Sequence, residues 1–193
     1  MLGRYASNPG PEHIKAVKRV FRYLKGSLNY SITYSGDTKT SLYITGYTDA
    51  DYAGDKDEYK STTGYIFYLA NGPISYKSKL QPITAQSTTE AEYIALANAT
   101  KEATYIKALI TELGLYKQSN IPIYSDNNGA IQLAKNPAYH ERSKHINVRY
   151  HLIRQKLADN TISIHYIPTK DQKADGLTKP LSKTRFKEFI DLI

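Results

Sequence analysis

Four acidic residues, Asp49, Glu92, Asp126 and Asp175, stand where carboxylates can do metal chemistry. Asp49 closes a strand-like run, Ser41-Leu-Tyr-Ile-Thr-Gly-Tyr-Thr48, and is followed by a polar loop containing Gly54. A rigid strand end fixes the carboxylate oxygens while the loop leaves room for a substrate. Asp126 closes a second short run, Ile121-Pro-Ile-Tyr-Ser125, and Asp175 lies in a helical region near the end of the chain. Oxygen ligands of this kind suit a hard divalent cation such as Mg2+. Two of them have a plainer alternative: Asp126 could cap the helix that follows it, and Asp175 could be a solvated helix residue. The four together, in the order Asp, Glu, Asp, Asp, on a strand end, a helix head, a second strand end and the last helical region, are harder to dismiss.

Glu92 is selected by helical periodicity. Ser87-Thr-Thr-Glu90 reads as a capping box, with Glu90 reaching back to the amide of Ser87. From Glu92, the residues Leu96, Ala99, Ala103, Ile106, Ile110 and Leu113 recur at alternating steps of four and three. That stripe is the face that packs on a sheet. An acid at the head of a buried stripe is costly unless it is paired or binds a cation. Glu90 thus has a structural task and Glu92 needs a chemical one. A calcium loop counted from Asp49 fails, because Ala53 and Lys60 fall where oxygen ligands belong.

The elements that must position these acids follow from pattern. Pro11 starts a helix with Ile14, Val17, Phe21 and Leu24 on one face and Lys15, Lys18, Arg19, Arg22 and Lys25 on the other, ended by Gly26. Tyr30–Tyr34 and Ser41–Thr48 read as strands, then Thr62–Ala70 and Ile74–Ser78, joined at Asn71-Gly72-Pro73. The long helix ends at Gly114. Ile121–Ser125 is a strand, Asn127–Ala134 a helix, Lys144–Ala158 a basic helix and Thr161–Ile167 a last strand. Asp171–Thr178 starts a helical region, and Lys183–Leu192 is a final helix. A meander followed by alternating strands and helices predicts an α/β fold, a mixed sheet flanked by helices, with its site at strand carboxyl ends.

Composition bounds the rest. The 193 residues are 40% hydrophobic and 23% charged, suiting one ordinary globular domain with a small appendage. No apolar run is long enough to span a membrane, and the start lacks a signal-peptide core. Absent cysteine excludes disulfides and thiolate metal sites. The net charge of +8 favours a polyanionic partner, and the 18 tyrosines offer stacking surfaces or merely biased usage. His13, His140, His145, His151 and His165 show no metal-binding spacing, and no phosphate loop or serine elbow occurs.

Six stretches carry a family likeness: Gly46–Asp55, Lys60–Phe67, Ser87–Leu96, Tyr124–Asn127, Lys144–His151 and Ala174–Leu181. With these the chain resembles the ribonuclease H domain that ends the Pol polyprotein of copia-type LTR retrotransposons. The resemblance implies a ribonuclease H-like, mixed five-stranded sheet, a three-strand meander followed by parallel strands. Residues 1–36 resemble the segment joining the reverse transcriptase thumb to this domain, 37–182 the domain itself, and 183–193 a C-terminal helix. It implies a metal-dependent endonuclease cutting the RNA strand of RNA–DNA hybrids, with two Mg2+ ions, or Mn2+ as substitute, held by Asp49, Glu92, Asp126 and Asp175. Asp49 would bridge the ions, Asp175 would lie on the water side, and Glu92 and Asp126 on the leaving-group side. Lys144, His145, Arg149, His151, Lys170 and Lys173 are the candidates for nucleic-acid contact. The upstream reverse transcriptase is the implied protein partner, with no membrane, in an intracellular setting, cytoplasmic particle or nucleus.

One departure stands out. Many ribonucleases H carry a product-release His between the last strand and the final Asp; here Pro168-Thr-Lys-Asp-Gln-Lys-Ala174 has none. Two competing readings are a non-catalytic nucleic-acid-binding remnant and a transposase or integrase of the same broad fold. The latter place their Glu late, after two Asp, whereas here Glu comes second.

Overall fold

Five short runs pair into one sheet. The computed structural model describes residues 2–34, 42–115, 118–136 and 147–193. The strands are β1 (Thr45–Ala50), β2 (Thr62–Leu69), β3 (Gly72–Leu80), β4 (Ile121–Ser125) and β5 (Ile162–Tyr166), in the order β3-β2-β1-β4-β5. β1 pairs antiparallel with β2, and β2 with β3; β1 and β4, and β4 and β5, are parallel. This is the mixed sheet expected. The helices are α1 (Pro11–Gly26), α2 (Thr88–Glu112), α3 (Asn128–Lys135), α4 (Asn147–Ala158) and α5 (Lys183–Leu192).

The chain divides into two compact units, Met1–Thr33 and Tyr34–Ile193. In the first, the His13 ring stacks on Tyr5 with centroids 4.0 Å apart, and its Nδ1 accepts from the Gly10 amide at 3.0 Å. α1 buries no residue, and its apolar side chains Ile14, Val17, Phe21 and Leu24 are exposed. Tyr30–Tyr34 is not a strand: the segment is irregular, with Tyr30, Ile32 and Tyr34 exposed and no ladder partner among the described residues. Alternation alone does not make a strand where no neighbour completes its hydrogen bonds.

In the second unit, the β2–β3 hairpin turns one residue earlier than its Asn-Gly-Pro signal suggests. Leu69 pairs with Gly72, and the two central residues, Ala70 and Asn71, have φ of 54° and 61°. Both are left-handed, as the turn that matches strand twist requires.

α2 lies across one face of the sheet. Its buried stripe Glu92, Leu96, Ala99, Ala103, Ile106 and Ile110 matches the sequence period, whereas Leu113 is exposed. It packs on Ile44, Phe67, Ile121, Ile123, Ile162 and Ile164 in one hydrophobic cluster with Ile153 of α4. Each fully buried side chain of this kind contributes about 1.5–3 kcal/mol. The helix ends as expected, with Gly114 at φ 69°. On the opposite face, Ile66, Tyr68 and Ala174 form a smaller cluster with Tyr47, Leu177 and Ile193.

After β5 the chain makes two short 3-10 turns, Thr169–Asp171 and Asp175–Leu177, instead of a continuous helical region. This segment lies so close to β2 that a Cβ on Gly64 would sit 2.7 Å from Thr178 and 3.1 Å from the Ala174 carbonyl. No described helix is long and apolar enough to cross a membrane.

Candidate metal centre

Asp49 is the fifth residue of β1 and pairs across the sheet with Gly64. Asp126 directly follows β4, the parallel neighbour of β1. The parallel pairing brings both acids to the same end of the sheet. Glu92 arrives from the first turns of α2, whose N-terminus is fixed by Ser87 accepting from the Glu90 amide at 3.1 Å. The Glu90 carboxylate accepts from the Gln86 amide at 2.7 Å, one residue before the predicted partner. It still satisfies a free amide at the helix start, so its role is structural.

One oxygen from each of Asp49, Glu92 and Asp126 lies within 4.8 Å of the others. Asp126 does not cap α3. That task falls to Asn127, whose side chain accepts from the Ala130 amide at 2.9 Å. Asp175 is outside the three-acid cluster but close enough to raise the proton affinity of Asp49. Its Oδ1 is paired with the Lys179 ammonium at 2.5 Å.

Electrostatics set this cluster apart. Burial, followed by the charges of Asp49 and Asp126, pushes Glu92 up to about 9; the Ala50 amide offsets this only in part. Asp49 rises to about 6, first through burial; the Thr178 hydroxyl opposes the rise, while Asp126 and Asp175 add to it. Oε2 of Glu92 is buried without a hydrogen-bond partner among the described residues. Crowded, desolvated carboxylates with an unmet acceptor are what a hard cation would satisfy. The donor set, all carboxylate oxygen and no thiolate or imidazole, fits Mg2+ or Mn2+.

Several residues absent from the sequence argument hold the acids. The Thr178 hydroxyl donates to Asp49 Oδ2 at 2.6 Å and lies 3.0 Å from the Asp175 carbonyl. The Thr169 hydroxyl donates to Asp126 Oδ2 at 2.7 Å. Gln172, almost fully buried, donates to the Thr48 carbonyl at 3.0 Å. Thr178 and Lys179 stand three and four residues after Asp175, the spacing of one helical face, and that spacing is the signal by which they could have been found.

The basic candidates are less uniform. Lys144 and His145 lie outside the described residues. Arg149 belongs to α4, and His151 is exposed on the same helix. Lys170 is exposed beside Thr169. Lys173 is half-buried, its ammonium 4.4 Å from the Tyr68 ring centre and 5.5 Å from that of Tyr47. Burial lowers its proton affinity. Thr89, three residues before Glu92, and Asn128, Gly129, Gln132 and Leu133 of α3 line an open hollow of about 400 Å³.

No family model matches the chain. It is 45% identical over 192 residues to the retrovirus-related Pol polyprotein from transposon RE1 of Arabidopsis thaliana, covering 100% of this chain and 13% of that protein. It is 43% identical over 193 residues to the corresponding polyprotein from transposon TNT 1-94 of Nicotiana tabacum, covering 100% and 14%. The chain thus spans about one seventh of the length of these curated relatives. Among solved structures it is similar to LC11-RNase H1, isolated from compost, in complex with an RNA/DNA hybrid. The TM-score is 0.51 at 16% identity, covering 70% of this chain and 93% of that one. At that identity the likeness establishes the fold alone.

Proposed function

We propose that this chain, which belongs to the retrovirus-related Pol polyproteins of copia-type transposons and has the ribonuclease H fold, hydrolyses the RNA strand of RNA–DNA hybrids formed in reverse transcription. The observation that carries the reading is the cluster of Asp49, Glu92 and Asp126 oxygens within 4.8 Å, at adjacent parallel strand ends and a helix head. In this reading those three and Asp175 hold two Mg2+ ions. The bound metal would supply activation of a water nucleophile and neutralisation of charge developing on the phosphate.

The chain's own groups do the rest. Burial of Asp49 and Glu92 keeps their carboxylates out of water, so they bind a cation strongly and give up any proton they hold when it arrives. Thr89, Asn128 and Gln132, which line one hollow, offer a hydroxyl and amides to the 2′-hydroxyls that mark an RNA strand. Lys170 and His151 supply exposed cationic or polar groups for phosphates; Lys144, His145 and Arg149 are further phosphate candidates of this reading. Lys173 is the weakest of the set, because two tyrosine rings already surround its ammonium. The reverse transcriptase portion of the same polyprotein is the proposed partner that delivers the hybrid.

The test uses one labelled sequence presented as RNA–DNA hybrid, duplex RNA, single-stranded RNA and duplex DNA, with Mg2+ or with chelator. Cutting confined to the RNA strand of the hybrid, and abolished by chelator, is the expected result. Salt-sensitive hybrid binding without cutting would refute the nuclease reading in favour of a binding remnant.

A further inference from the structure

We infer that Thr178 and Thr169 are positioning residues, which fix the carboxylates of Asp49 and Asp126 in the orientation that receives metal, and that residues 169–178 act as a latch across the site. The inference rests on the nuclease reading above and adds residues that reading does not use.

Three side chains of this short segment bond to the sheet end that carries the acids. Thr169 donates to Asp126 Oδ2, Gln172 to the carbonyl of Thr48 beside Asp49, and Thr178 to Asp49 Oδ2. Gln172 is itself held in place, its Oε1 accepting from the Ala174 amide at 3.2 Å. The Ile167 amide bonds the Ser125 carbonyl at 3.1 Å, so the segment leaves β5 already tied to the end of β4. The two threonine contacts, 2.7 Å and 2.6 Å, are in the range of charge-assisted hydroxyl–carboxylate bonds.

A hydroxyl has one proton. Each threonine therefore occupies one lone pair of one oxygen and stops the carboxylate from turning about its terminal bond. The partner oxygen of Asp49 and of Asp126 stays free of that bond and available to a cation. Packing alone would not select threonine at 178, because the residue is 5% exposed and valine fills the same volume. A buried hydroxyl is unfavourable unless bonded, and here the acid is its partner. Groups that orient metal ligands in this way typically change metal affinity by about 10- to 100-fold when removed.

The experiment titrates Mn2+ into the full chain without nucleic acid, reading free Mn2+ by electron paramagnetic resonance. Wild type is compared with Thr178→Val, Thr178→Ser and Thr169→Val, each checked for folding by circular dichroism. Thr178→Val should weaken Mn2+ binding about 10- to 100-fold. Thr178→Ser should restore it, because serine keeps the hydroxyl and loses only a methyl group. Thr169→Val should weaken binding in the same direction. Wild-type affinity in a folded Thr178→Val chain overturns the inference. If that chain does not fold, wild-type affinity in Thr169→Val, whose side chain is exposed, overturns it instead. A wild-type chain that binds no Mn2+ contradicts the nuclease reading and removes this inference with it.

Discussion

Replacing Glu92 by glutamine should stabilise the metal-free chain at neutral and alkaline pH and do almost nothing near pH 4. The acid is 7% exposed and one of its oxygens lies within 4.8 Å of oxygens of two other carboxylates. Two full negative charges at that distance, at an effective dielectric of 20, repel by about 3.5 kcal/mol. Burial first, and that repulsion second, make Glu92 hold its proton, with its pKa raised from 4.5 to about 9. Between those values the folded state binds a proton that the unfolded state has lost. Stability therefore falls as pH rises across the window, by about 1.4 kcal/mol per unit for one proton. From pH 4.5 to 7.5 the decline is about 4 kcal/mol. Glutamine has no such proton to hold, so the Glu92→Gln chain lacks that part of the slope. Urea unfolding in chelator at pH 4.5, 6 and 7.5 should show two stability curves that meet at low pH and separate by about 3–4 kcal/mol at pH 7.5. Mn2+ should narrow the gap by stabilising the wild type more than the variant. Parallel curves over the whole range would refute the electrostatic account of the cluster.

Metal binding should also release protons. At pH 7.5 Glu92 holds its proton in the metal-free chain, so calorimetry of Mn2+ binding in buffers of different ionisation enthalpy should show net proton release, and release should be much smaller in Glu92→Gln. Gly176→Ala places a methyl group 2.4 Å from the Phe189 ring, where α5 packs against the Asp175 turn. Urea unfolding should show a loss of about 1–3 kcal/mol, with hybrid cleavage reduced as the turn shifts. Lys170→Ala should weaken hybrid binding and reduce the salt slope by about one ion, whereas Lys173→Met should leave the slope unchanged. Equal effects of the two lysine variants would contradict the placement of Lys173 between Tyr47 and Tyr68.

The acids were legible where a short-range period carries them. Glu92 follows from a stripe with steps of four and three, and the structure buries that stripe from Glu92 to Ile110. Asp49 and Asp126 follow from strand ends, and the meander followed by parallel strands follows from element order. Sequence left Asp126 between capping and chemistry, because the same Ser-Asp-Asn run serves either. One hydrogen bond, from the Ala130 amide to Asn127, removes the capping alternative. Tyr30–Tyr34 has strand alternation but no ladder partner among the described residues, and pairing is a tertiary property that a local pattern does not contain. The threonine latch is hidden for the same reason: Thr178 meets Asp49 across 129 residues of chain. Lys173 looked like any exposed lysine of a basic loop until the fold brought two tyrosines around it.

The most direct test of the central claim is single-turnover cleavage of one RNA–DNA hybrid by Asp49→Asn, Glu92→Gln, Asp126→Asn and Asp175→Asn, beside the wild type, in Mg2+. The account predicts RNA-strand cleavage by the wild type alone, with all four variants still folded and still binding the hybrid. Wild-type cleavage by any one of the four would contradict its place in the metal centre, and cleavage by Asp49→Asn would contradict the centre as a whole.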